Sequence, residues 1–490
     1  MPTLIGWIGG TYRKDPSGEQ ASFAAKLKNC MASTQETATR QLFGTDGIRG
    51  VAGEAPLDRA TAHALGVALG EWARRASRKD LNGGPAEVLI GMDTRESGPW
   101  LAEQVAGGLK RSGVQARFAG VITTPGVAYL TRTGNFVAGV MISASHNPYH
   151  DNGLKVISHS GYKLADDVEL ELEQAMMAWL ESGETAEPEP LEADAALDNL
   201  YTDFLASTVQ GRFPLRVTVD CANGAATEVA PRLLRRLGLE LDWIGTAPDG
   251  RNINLDCGSL HLENLQQRVK ENNSDLGIAF DGDADRALFV SGSGKVVDGD
   301  AVLYLAGSAL KRAGKLPEDV VVATVMSNLG LEKALEGEGI AMVRTPVGDK
   351  YVLEEMLKRG AALGGEQSGH VIFTEYATTG DGLLTALRVL EIVRDSGRSL
   401  DELSSAVKTF PQKLVNVRVK HKRPLKDLPS VQKEIAAAEQ EFQAGGRVVV
   451  RFSGTEPLAR VMIEAESAEA VERWTSRIAD AIRAELGAAN

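Results

Sequence analysis

Short apolar runs that end in polar loops recur along this chain, and they constrain its fold more than any other feature. These runs cover residues 87–92, 136–142, 215–220, 276–280 and 320–325. Segments with the apolar spacing of a helix lie between several of them, for example 60–76, 226–237 and 301–312. Alternation of buried strands with helices is typical of α/β domains with a parallel or mixed sheet. The sequence therefore predicts an α/β fold.

The loop after the run 136–142 reads SASHNP over residues 143–148. Its small side chains let a ligand approach the backbone closely, and Pro148 disfavours a helical conformation for the residue before it. Residues 151–153, Asp-Asn-Gly, predict a second turn, and Lys155 begins the next apolar segment. A stiff loop of this kind can present a nucleophilic hydroxyl beside a cation. On spacing alone, a polar turn between two strands explains the same residues equally well.

A second loop reads DGDADR over residues 281–286 and again follows an apolar run. Asp281, Asp283 and Asp285 repel one another unless a cation pairs with them, and carboxylate oxygens suit Mg²⁺, Ca²⁺ or Mn²⁺. The string differs from a calcium-binding EF-hand because Arg286 stands where that loop has an invariant glycine. Strands, not helices, are predicted on both sides. A solvated acidic turn is the alternative.

Four further loops combine glycine with polar side chains. An arginine can bind phosphate or carboxylate through a forked pair of hydrogen bonds, and hydroxyls together with backbone N–H groups can cradle phosphate. A glycine-rich loop with Glu, Ser and His side chains suits a hydroxylated ligand. Taken singly, each is also an ordinary turn. The four loops are FGTDGIRG at 43–50, RTPVGDK at 344–350, LGGEQSGH at 363–370 and RFSGTEPLAR at 451–460.

Length and composition narrow the range of functions. The chain has 490 residues, more than one hydrophobic core holds, and about three domains are expected. A net charge of −13 disfavours nonspecific binding to nucleic acid or to an anionic membrane. No apolar run approaches the ~20 residues of a membrane helix. The 3 cysteines lack C-x-x-C spacing, which predicts no disulfide framework and fits a reducing cytoplasm.

Two segments stand apart from the α/β pattern. Residues 1–40 are polar and weakly periodic, and their short apolar start lacks the basic leader of a signal peptide. We interpret them as a disordered or non-native N-terminal extension. Residues 181–198 are acidic and contain prolines, which predicts a linker between domains.

Taken in order, these loops resemble those of the α-D-phosphohexomutase family. The DTRES string at 93–97, whose Arg95 supports the serine loop in that family, adds to the match. The resemblance extends from about residue 41 to the C terminus. It implies three related α/β domains with mixed sheets and a smaller C-terminal α+β domain around a central cleft. The implied boundaries are 41–190, 191–297, 298–410 and 411–490.

The resemblance also implies roles for individual residues. Ser145 is the implied phosphoserine, and it shares a Mg²⁺ ion with Asp281, Asp283 and Asp285. The family more often has glycine where this chain has Ala284, so a positive φ there would cost about 1 kcal/mol. The implied catalytic residues besides Ser145 are Lys155, His146, His370 and Arg49. The implied substrate-binding residues are Arg286, Thr345, Gly348, Asp349, Glu366, Ser368, Arg451, Ser453, Gly454, Thr455 and Arg460.

Within the family, the string at 43–50 and Gln367 most resemble the phosphoglucosamine mutases. This implies a cytoplasmic monomer or homodimer that interconverts glucosamine 6-phosphate and glucosamine 1-phosphate. A hexose 1,6-bisphosphate would serve as intermediate and activator, and the product would feed UDP-N-acetylglucosamine and cell-wall synthesis. Two alternatives stay open. One is a phosphomannomutase/phosphoglucomutase, which more often has Met for the Gln. The other is a non-catalytic sugar-phosphate-binding protein with the same fold.

Overall fold

The computed structural model describes residues 41–44, 46–80, 86–453 and 457–487. These residues all belong to one compact unit, Gln41–Asn490. The predicted extension, residues 1–40, lies outside the described residues. Four sheets follow one another along the described chain, three of them mixed and the last antiparallel. The predicted fold class is therefore confirmed, while the exact domain boundaries stay a prediction.

The first domain contains a mixed sheet of five strands. Strands β2 and β4 pair in parallel, as do β2 and β3, whereas β5 runs antiparallel to β4 and β1. The strand order is β1–β5–β4–β2–β3. The strands are β1 Ile48–Val51, β2 Glu87–Met92, β3 Gln115–Val121, β4 Ala138–Ile142 and β5 Asp151–Ser158. The helices are α1 Arg59–Asp80, α2 Gly98–Arg111, α3 Thr124–Thr133 and α4 Asp166–Ser182.

The second and third domains repeat this plan. The second has helices α5 Ala195–Ser207, α6 Ala226–Leu234 and α7 Glu263–Glu271, and strands β6 Arg216–Asp220, β7 Glu240–Ile244, β8 Leu276–Phe280, β9 Ala287–Ser291 and β10 Val296–Val297. The third has strands β11 Val320–Thr324, β12 Ala341–Thr345, β13 Leu363–Gly365 and β14 Val371–Phe373. Its helices are α8 Gly299–Arg312, α9 Leu329–Gly337, α10 Asp349–Arg359, α11 Gly382–Ser396 and α12 Leu400–Ser404.

The last domain has a three-stranded antiparallel sheet in the order β15–β17–β16. The strands are β15 Gln412–Arg418, β16 Gly446–Phe452 and β17 Leu458–Ala465, and the helices are α13 Pro429–Phe442 and α14 Ala468–Leu486. One face of the sheet packs on the helices around a core that includes Val461, Ile463 and Trp474.

The three α/β sheets place their candidate site loops at equivalent positions. Each sheet contains three parallel strands, and the strand that comes first along the chain lies between the other two. A fourth strand pairs antiparallel with the last of the three. The loop that joins the third strand to that antiparallel neighbour carries residues 143–150 in the first domain, 281–286 in the second and 366–370 in the third. The carboxyl ends of parallel strands are the usual place for ligand sites in α/β sheets.

The cores show which domains form a rigid pair. One continuous hydrophobic cluster spans the second and third domains. It includes Val219 and Phe280 of the second domain and Val321 and Leu384 of the third. The first and last domains have their own main clusters. Apolar packing therefore fixes the second domain against the third more firmly than it fixes the last domain. None of the described helices is long and apolar enough to cross a bilayer.

Two of the turns predicted in the first domain are wrong. Residues 48–51 and 151–153 form paired strands, with Arg49 opposite Gly153 and Gly50 opposite Asn152. Gly47 permits this pairing because its φ is +80° and a Cβ there would lie 2.2 Å from the carbonyl oxygen of Leu154. Strand pairing thus overrides the local turn preference of Asp, Asn and Gly.

The predicted linker lies mainly along the first domain. Helix α4 ends at Ser182 and α5 begins at Ala195. Between them, the backbone N–H groups of Glu189 and Asp194 donate to the carbonyl oxygens of Glu103 and Phe118 at 2.9 and 2.8 Å. This acidic segment is therefore attached to the first domain along its length.

Candidate active site

The loop between β4 and β5 brings Ser145 against the second domain. Ser145 is 3% exposed, and its Oγ donates a hydrogen bond to Oδ2 of Asp281 at 2.5 Å. His146 Nδ1 lies 3.4 Å from the same hydroxyl. The backbone of Ser145 has a φ of 53°, in the left-handed region that side chains disfavour. The surrounding contacts must therefore hold the serine in a conformation that it would not adopt alone.

A buried network in the first domain supplies part of that support. Arg95 is 1% exposed, and its Nη2 donates to the carbonyl oxygens of Ser145 and Asn147, both at 2.9 Å. Asp93 accepts from Arg95 Nε at 2.9 Å and from Ser143 Oγ at 2.6 Å, and Ser143 Oγ in turn accepts the backbone N–H of Ser145. Arg95 supports the serine loop in this structure as the family resemblance implies.

Asp281, Asp283 and Asp285 lie buried at the end of β8, with one carboxylate oxygen of each within 4.8 Å of the others. Burial and then the charges of Asp285 and Asp283 raise the pKa of Asp281 well above its ordinary value. Oδ1 of Asp283 and Oδ1 of Asp285 have no hydrogen-bond partner among the described residues. Unpartnered buried oxygens on crowded carboxylates fit a divalent cation with oxygen ligands.

Lys155 lies beside this cluster on β5. Its ammonium donates to Oδ2 of Asp283 at 2.8 Å and lies 3.6 Å from Oδ2 of Asp46. Burial favours the neutral amine, but the charges of Asp283 and Asp46 outweigh that effect and hold the pKa of Lys155 well above its ordinary range. Lys155 is therefore charged in this state, and its proton is held by the two carboxylates.

The two candidate histidines have different surroundings. Burial and the charges of Arg286 and Arg49 lower the pKa of His146 to about 4, and Arg286 Nη1 lies 3.1 Å from its Nδ1. His146 is therefore neutral near neutral pH. Arg49 itself is paired with Asp46.

His370 is enclosed, at 3% exposure. Its burial disfavours the charged ring, but Asp285 and Asp349 raise its pKa to about 9. Its Nδ1 lies 3.5 Å from Asp285, whereas Nε2 accepts the backbone N–H of Gly380 at 3.0 Å. The Gly380 N–H occupies the lone pair of Nε2, so the ring is neutral with its one proton on Nδ1 in this structure, even though the nearby carboxylates favour a second proton. In this arrangement His370 orients the third aspartate.

A chain of ion pairs extends the site into the third domain. Lys163 Nζ bridges Asp46 at 2.7 Å and Asp349 at 2.8 Å, and the N–H of Gly348 donates to Glu366 at 3.0 Å. These contacts connect the string at 43–50, the segment 344–350 and the loop 366–370. In the same region, Thr345 Oγ1 donates to the carbonyl oxygens of Ala323 on β11 and of the next residue, Pro346. Ser368 Oγ has no partner among the described residues.

The cations of the last domain lie beside a cavity. Arg451 and Arg460 face each other on β16 and β17 and line a cavity of about 160 Å³ together with Met326 and Val347 of the third domain. Ser453 directly follows β16, and its carbonyl oxygen accepts from Lys422 Nζ at 2.6 Å. Gly454 and Thr455, predicted to bind phosphate, lie outside the described residues.

Sequence reasoning gave no role to three residues of this network. Asp46 and Lys163 carry the bridge described above, and Thr124 Oγ1 donates to Asp283 Oδ2 at 2.5 Å. Asp46 lies within the string at 43–50, and the match of this string to the family could therefore have identified it. From its sequence, the run Thr123-Thr124-Pro125 predicts a turn, whereas in the structure Thr124 begins α3 and presents that helix N terminus to the aspartate loop. Lys163 has no sequence signal.

Comparison with known proteins agrees with this geometry. The models of the phosphoglucomutase/phosphomannomutase family match in order: alpha/beta/alpha domain I at residues 40–182, domain II at 196–294, domain III at 298–410 and the C-terminal domain at 414–481. A phosphoglucosamine mutase from Solibacter usitatus is 60% identical over 91% of this chain and 99% of its own length. The phosphoglucosamine mutase of Bacillus subtilis is 45% identical over the same shares.

Solved structures resemble the fold at lower sequence identity. A phosphoglucomutase/phosphomannomutase family protein from Burkholderia thailandensis has a TM-score of 0.74 and 24% identity, over 91% of this chain and 98% of that protein. N-acetylphosphoglucosamine mutase of Aspergillus fumigatus, solved with GlcNAc-6P and magnesium, has a TM-score of 0.59 and 18% identity, over 94% and 98%. The resemblance seen in the sequence is confirmed, and this chain belongs to the phosphoglucomutase/phosphomannomutase family of α-D-phosphohexomutases.

Proposed function

We propose that this protein interconverts glucosamine 6-phosphate and glucosamine 1-phosphate by way of a phosphorylated Ser145. The observation that carries this proposal is the hydrogen bond of the Ser145 hydroxyl to Asp281, one of three crowded aspartates. A hydroxyl placed on a cation-binding cluster is suited to accept and release a phosphoryl group. The glucosamine preference rests on Gln367, on the string at 43–50 and on the relatives named phosphoglucosamine mutase.

Asp281, Asp283, Asp285 and the phosphate on Ser145 would together hold Mg²⁺. When bound, Mg²⁺ would withdraw negative charge from the phosphoryl group and so make transfer easier. The unpartnered oxygens of Asp283 and Asp285 are the free ligand positions that such an ion requires. Arg286, whose backbone N–H donates to Oδ1 of Asp281 at 3.2 Å, keeps that carboxylate oriented.

The reaction consists of two phosphoryl transfers. In the first, the phosphoryl group leaves Ser145 Oγ for the O1 hydroxyl of glucosamine 6-phosphate, whose proton is lost, and glucosamine 1,6-bisphosphate forms. The intermediate then turns over in the cleft. In the second transfer its 6-phosphoryl group passes to Ser145 Oγ, and O6 regains a proton as glucosamine 1-phosphate is released. The enzyme ends phosphorylated, as it began.

Proton transfer is assigned by the positions of the ionisable groups in the site. Lys155 lies 2.8 Å from Asp283, beside the reacting groups, and is the candidate for proton exchange with the sugar oxygen. His146 Nδ1 lies 3.4 Å from Ser145 Oγ and already accepts from Arg286 Nη1 at 3.1 Å, so we assign His146 to orienting the serine hydroxyl. Arg49 balances charge through Asp46, and His370 orients Asp285.

Sugar and phosphate recognition is divided between the third and last domains. Thr345, Gly348, Asp349, Glu366 and Ser368 would contact the sugar hydroxyls and the amino group. The distal phosphate would bind to Arg451, Ser453, Gly454, Thr455 and Arg460, because paired guanidinium groups and hydroxyls are strong phosphate ligands. This division lets the site hold either end of the bisphosphate while the other end reacts.

The surrounding biology follows from this reaction. We propose sugar phosphates as the partners, a hexose 1,6-bisphosphate as the activator that maintains phosphoserine, and the cytoplasm as the place of action. The proposed assembly is a monomer or a homodimer. Glucosamine 1-phosphate would pass to the synthesis of UDP-N-acetylglucosamine.

A side-by-side assay tests the proposal. Turnover of the 6-phosphates of glucosamine, glucose and mannose is measured with Mg²⁺ and the matching 1,6-bisphosphates. We expect the largest kcat/KM with glucosamine 6-phosphate and phosphate retained on Ser145. Faster turnover of glucose or mannose phosphate would instead identify a phosphomannomutase/phosphoglucomutase. No turnover and no label on Ser145 would identify a non-catalytic binding protein.

A further inference from the structure

The serine loop is held from two domains at once. The carbonyl oxygens of Ser145 and Asn147, which accept from Arg95 of the first domain, also accept from Asn254 Nδ2 of the second domain at 3.0 and 3.2 Å. Asn254 is 8% exposed. We propose that Asn254 is a positioning residue for phosphoryl transfer, whose amide fixes the backbone of Ser145 so that its hydroxyl faces Asp281. This inference rests on the proposed function of Ser145.

The backbone of the loop explains why a second support matters. Ser145 has a φ of 53°, and Asn254 itself has a φ of 59°. A left-handed serine is unfavourable unless neighbouring contacts offset its strain, whereas asparagine adopts this conformation more readily. Arg95 and Asn254 bind the same two carbonyl oxygens from opposite domains. Removing one donor therefore leaves the peptide groups after Ser145 and after Asn147 held from one domain only.

Asn254 also links the serine loop to the aspartate loop. A Cβ added at Gly282 would lie 2.4 Å from the carbonyl oxygen of Ser145 and 2.9 Å from Asn254 Nδ2. The Gly282 backbone, the Asn254 amide and the Ser145 carbonyl thus meet without room for another atom. Because Gly282 lies between Asp281 and Asp283, this contact sets the distance between the phosphoryl carrier and the candidate metal ligands.

The support is anchored on the end of β6. The backbone N–H of Asn254 donates to the carbonyl oxygen of Ala222 at 2.9 Å, and the N–H of Ala222 donates to Asp220 Oδ1 at 2.8 Å. Asp220 Oδ2 also accepts the N–H of Gly258 at 2.7 Å. Both ends of the short loop that carries Asn254 are therefore tied to one buried carboxylate, which makes its amide a fixed donor.

A purely structural role for Asn254 would be to join the first two domains. Other contacts already join these domains. Thr94 Oγ1 donates to the carbonyl oxygen of Asn223 at 2.6 Å, and the backbone N–H of Glu96 donates to the carbonyl oxygen of Gly250 at 2.9 Å. Loss of the Asn254 amide should therefore leave the domains in contact and loosen Ser145 specifically. The two roles predict different measurements.

Two variants and a control separate these roles in the full-length protein. Asn254→Gly removes the amide and tolerates the positive φ, whereas Asn254→Asp keeps the shape but turns a carboxylate toward two carbonyl oxygens. Asn252→Ala is the control, because the Asn252 amide bonds within its own loop, to Ala247 and Asp249. The measurement is single-turnover transfer of labelled phosphate to Ser145 from the hexose 1,6-bisphosphate that best activates the wild-type protein.

We expect Asn254→Gly to slow the transfer about tenfold or more, because a small misplacement of a reacting group has effects of this size. Asn254→Asp should slow it at least as much, and Asn252→Ala should match wild type. KM should change less than about twofold and the melting temperature by only a few degrees. A lower melting temperature with wild-type transfer in Asn254→Gly would overturn the inference alone. Absence of label on the wild-type protein would overturn the proposed function and this inference together.

Discussion

The two ends of the site are built in different ways. At the chemical end, Ser145, Asp281 and Asp283 are at most 3% exposed and are held by hydrogen bonds between the first two domains. At the other end, Arg451 and Arg460 line a cavity of about 160 Å³ between the third and last domains. The first arrangement fixes atoms in place, whereas the second leaves space around its cations.

The attachment of the last domain explains the difference. Arg447 Nη1 and Nη2 donate to the carbonyl oxygens of Val325 and Ser327, both at 3.0 Å, and Arg447 pairs with the buried Glu464 at 2.7 Å. Arg447 and Arg451 lie on one face of β16, opposite Glu464 and Arg460 on β17. The anchor is thus roughly 13 Å along the strand from Arg451 and Arg460, the residues proposed to bind phosphate. We expect small rotations about it to move the arginines while Ser145 stays fixed.

The largest effect is expected at the chemical end. Ser145→Ala should lower kcat about a thousandfold or more, because it removes the group that carries phosphate. The fold should remain, since one hydroxyl at a loop contributes little to the core. Turnover and melting temperature check both points. Ser158→Ala is the control, because that hydroxyl on β5 bonds to Ser160 and Tyr162.

The same variant tests the coupling of serine to metal. A phosphoserine adds about −1.5 to −2 charge, and Mg²⁺ is held weakly by protein carboxylates without a phosphate. Calorimetric titration of Mg²⁺ should therefore give tighter binding to phosphorylated protein than to dephosphorylated protein or Ser145→Ala. Equal affinities in all three would mean that the phosphoserine is not a metal ligand.

The chemical end was also the more predictable from sequence. The buried runs that became β4 and β8 are followed directly by the serine and aspartate loops, so the motif and its position at a strand end could both be inferred. What could not be inferred depends on distant pairing. Lys163 bridges Asp46 and Asp349, which are 117 and 186 residues away, and no local pattern specifies such a partner.

Local preference failed where strand pairing decided the structure. Asp151, Asn152 and Gly153 favour a turn, yet they pair with residues 49–51 at the edge of the first sheet. The turn predicted at residues 123–125, where α3 begins, is wrong for a related reason. Pro125 suggested a turn, whereas proline in the first turn of a helix is favourable because its missing N–H would be unsatisfied there. Both errors lie beside the site, where loops are short and tertiary contacts dominate.

The next largest effect is expected at the anchor of the last domain. Arg447→Lys keeps a charge for Glu464 but loses the fork that binds two carbonyl oxygens. We expect KM for the sugar phosphate to rise about three- to tenfold while kcat changes about twofold or less. Arg473→Lys is the control, since Arg473 pairs with Glu441 on the exposed surface of the same domain. A fall in kcat at constant KM would mean that the chemical end also depends on this anchor.

A buried acid beneath the anchor should make stability depend on pH. Asp300 accepts the N–H of Asn328 at 2.7 Å, and burial, then the charge of Asp298, raises its pKa to about 7. Between about pH 4 and pH 7 the folded state holds a proton that the unfolded state has lost. Stability should therefore fall as pH rises through this window, by at most about 1.4 kcal/mol per pH unit.

Asp300→Asn should reduce this slope and be more stable than wild type at pH 8. Urea unfolding from pH 5 to pH 8 measures it, with Asp319→Asn, a half-exposed carboxylate of the same domain, as the control. An unchanged slope in Asp300→Asn would show that the Asp300 carboxyl does not titrate in this range.

The smallest effect is expected at Ala284, in the rigid aspartate loop. Its φ is 54°, the positive value for which the family's glycine is suited, and its methyl group is buried. Glycine would relieve about 1 kcal/mol of backbone strain but would lose about 0.8 kcal/mol of methyl burial and gain freedom in the unfolded chain. Ala284→Gly should therefore keep the melting temperature within about 2 °C of the wild-type value and leave Mg²⁺ affinity unchanged.

Ala284→Val should destabilise the protein clearly, because a branched side chain is poorly tolerated at positive φ. If Ala284→Gly instead weakened Mg²⁺ binding severalfold, the alanine methyl would be part of what holds the aspartates in place, and the rigidity of this end would depend on packing as well as on hydrogen bonds.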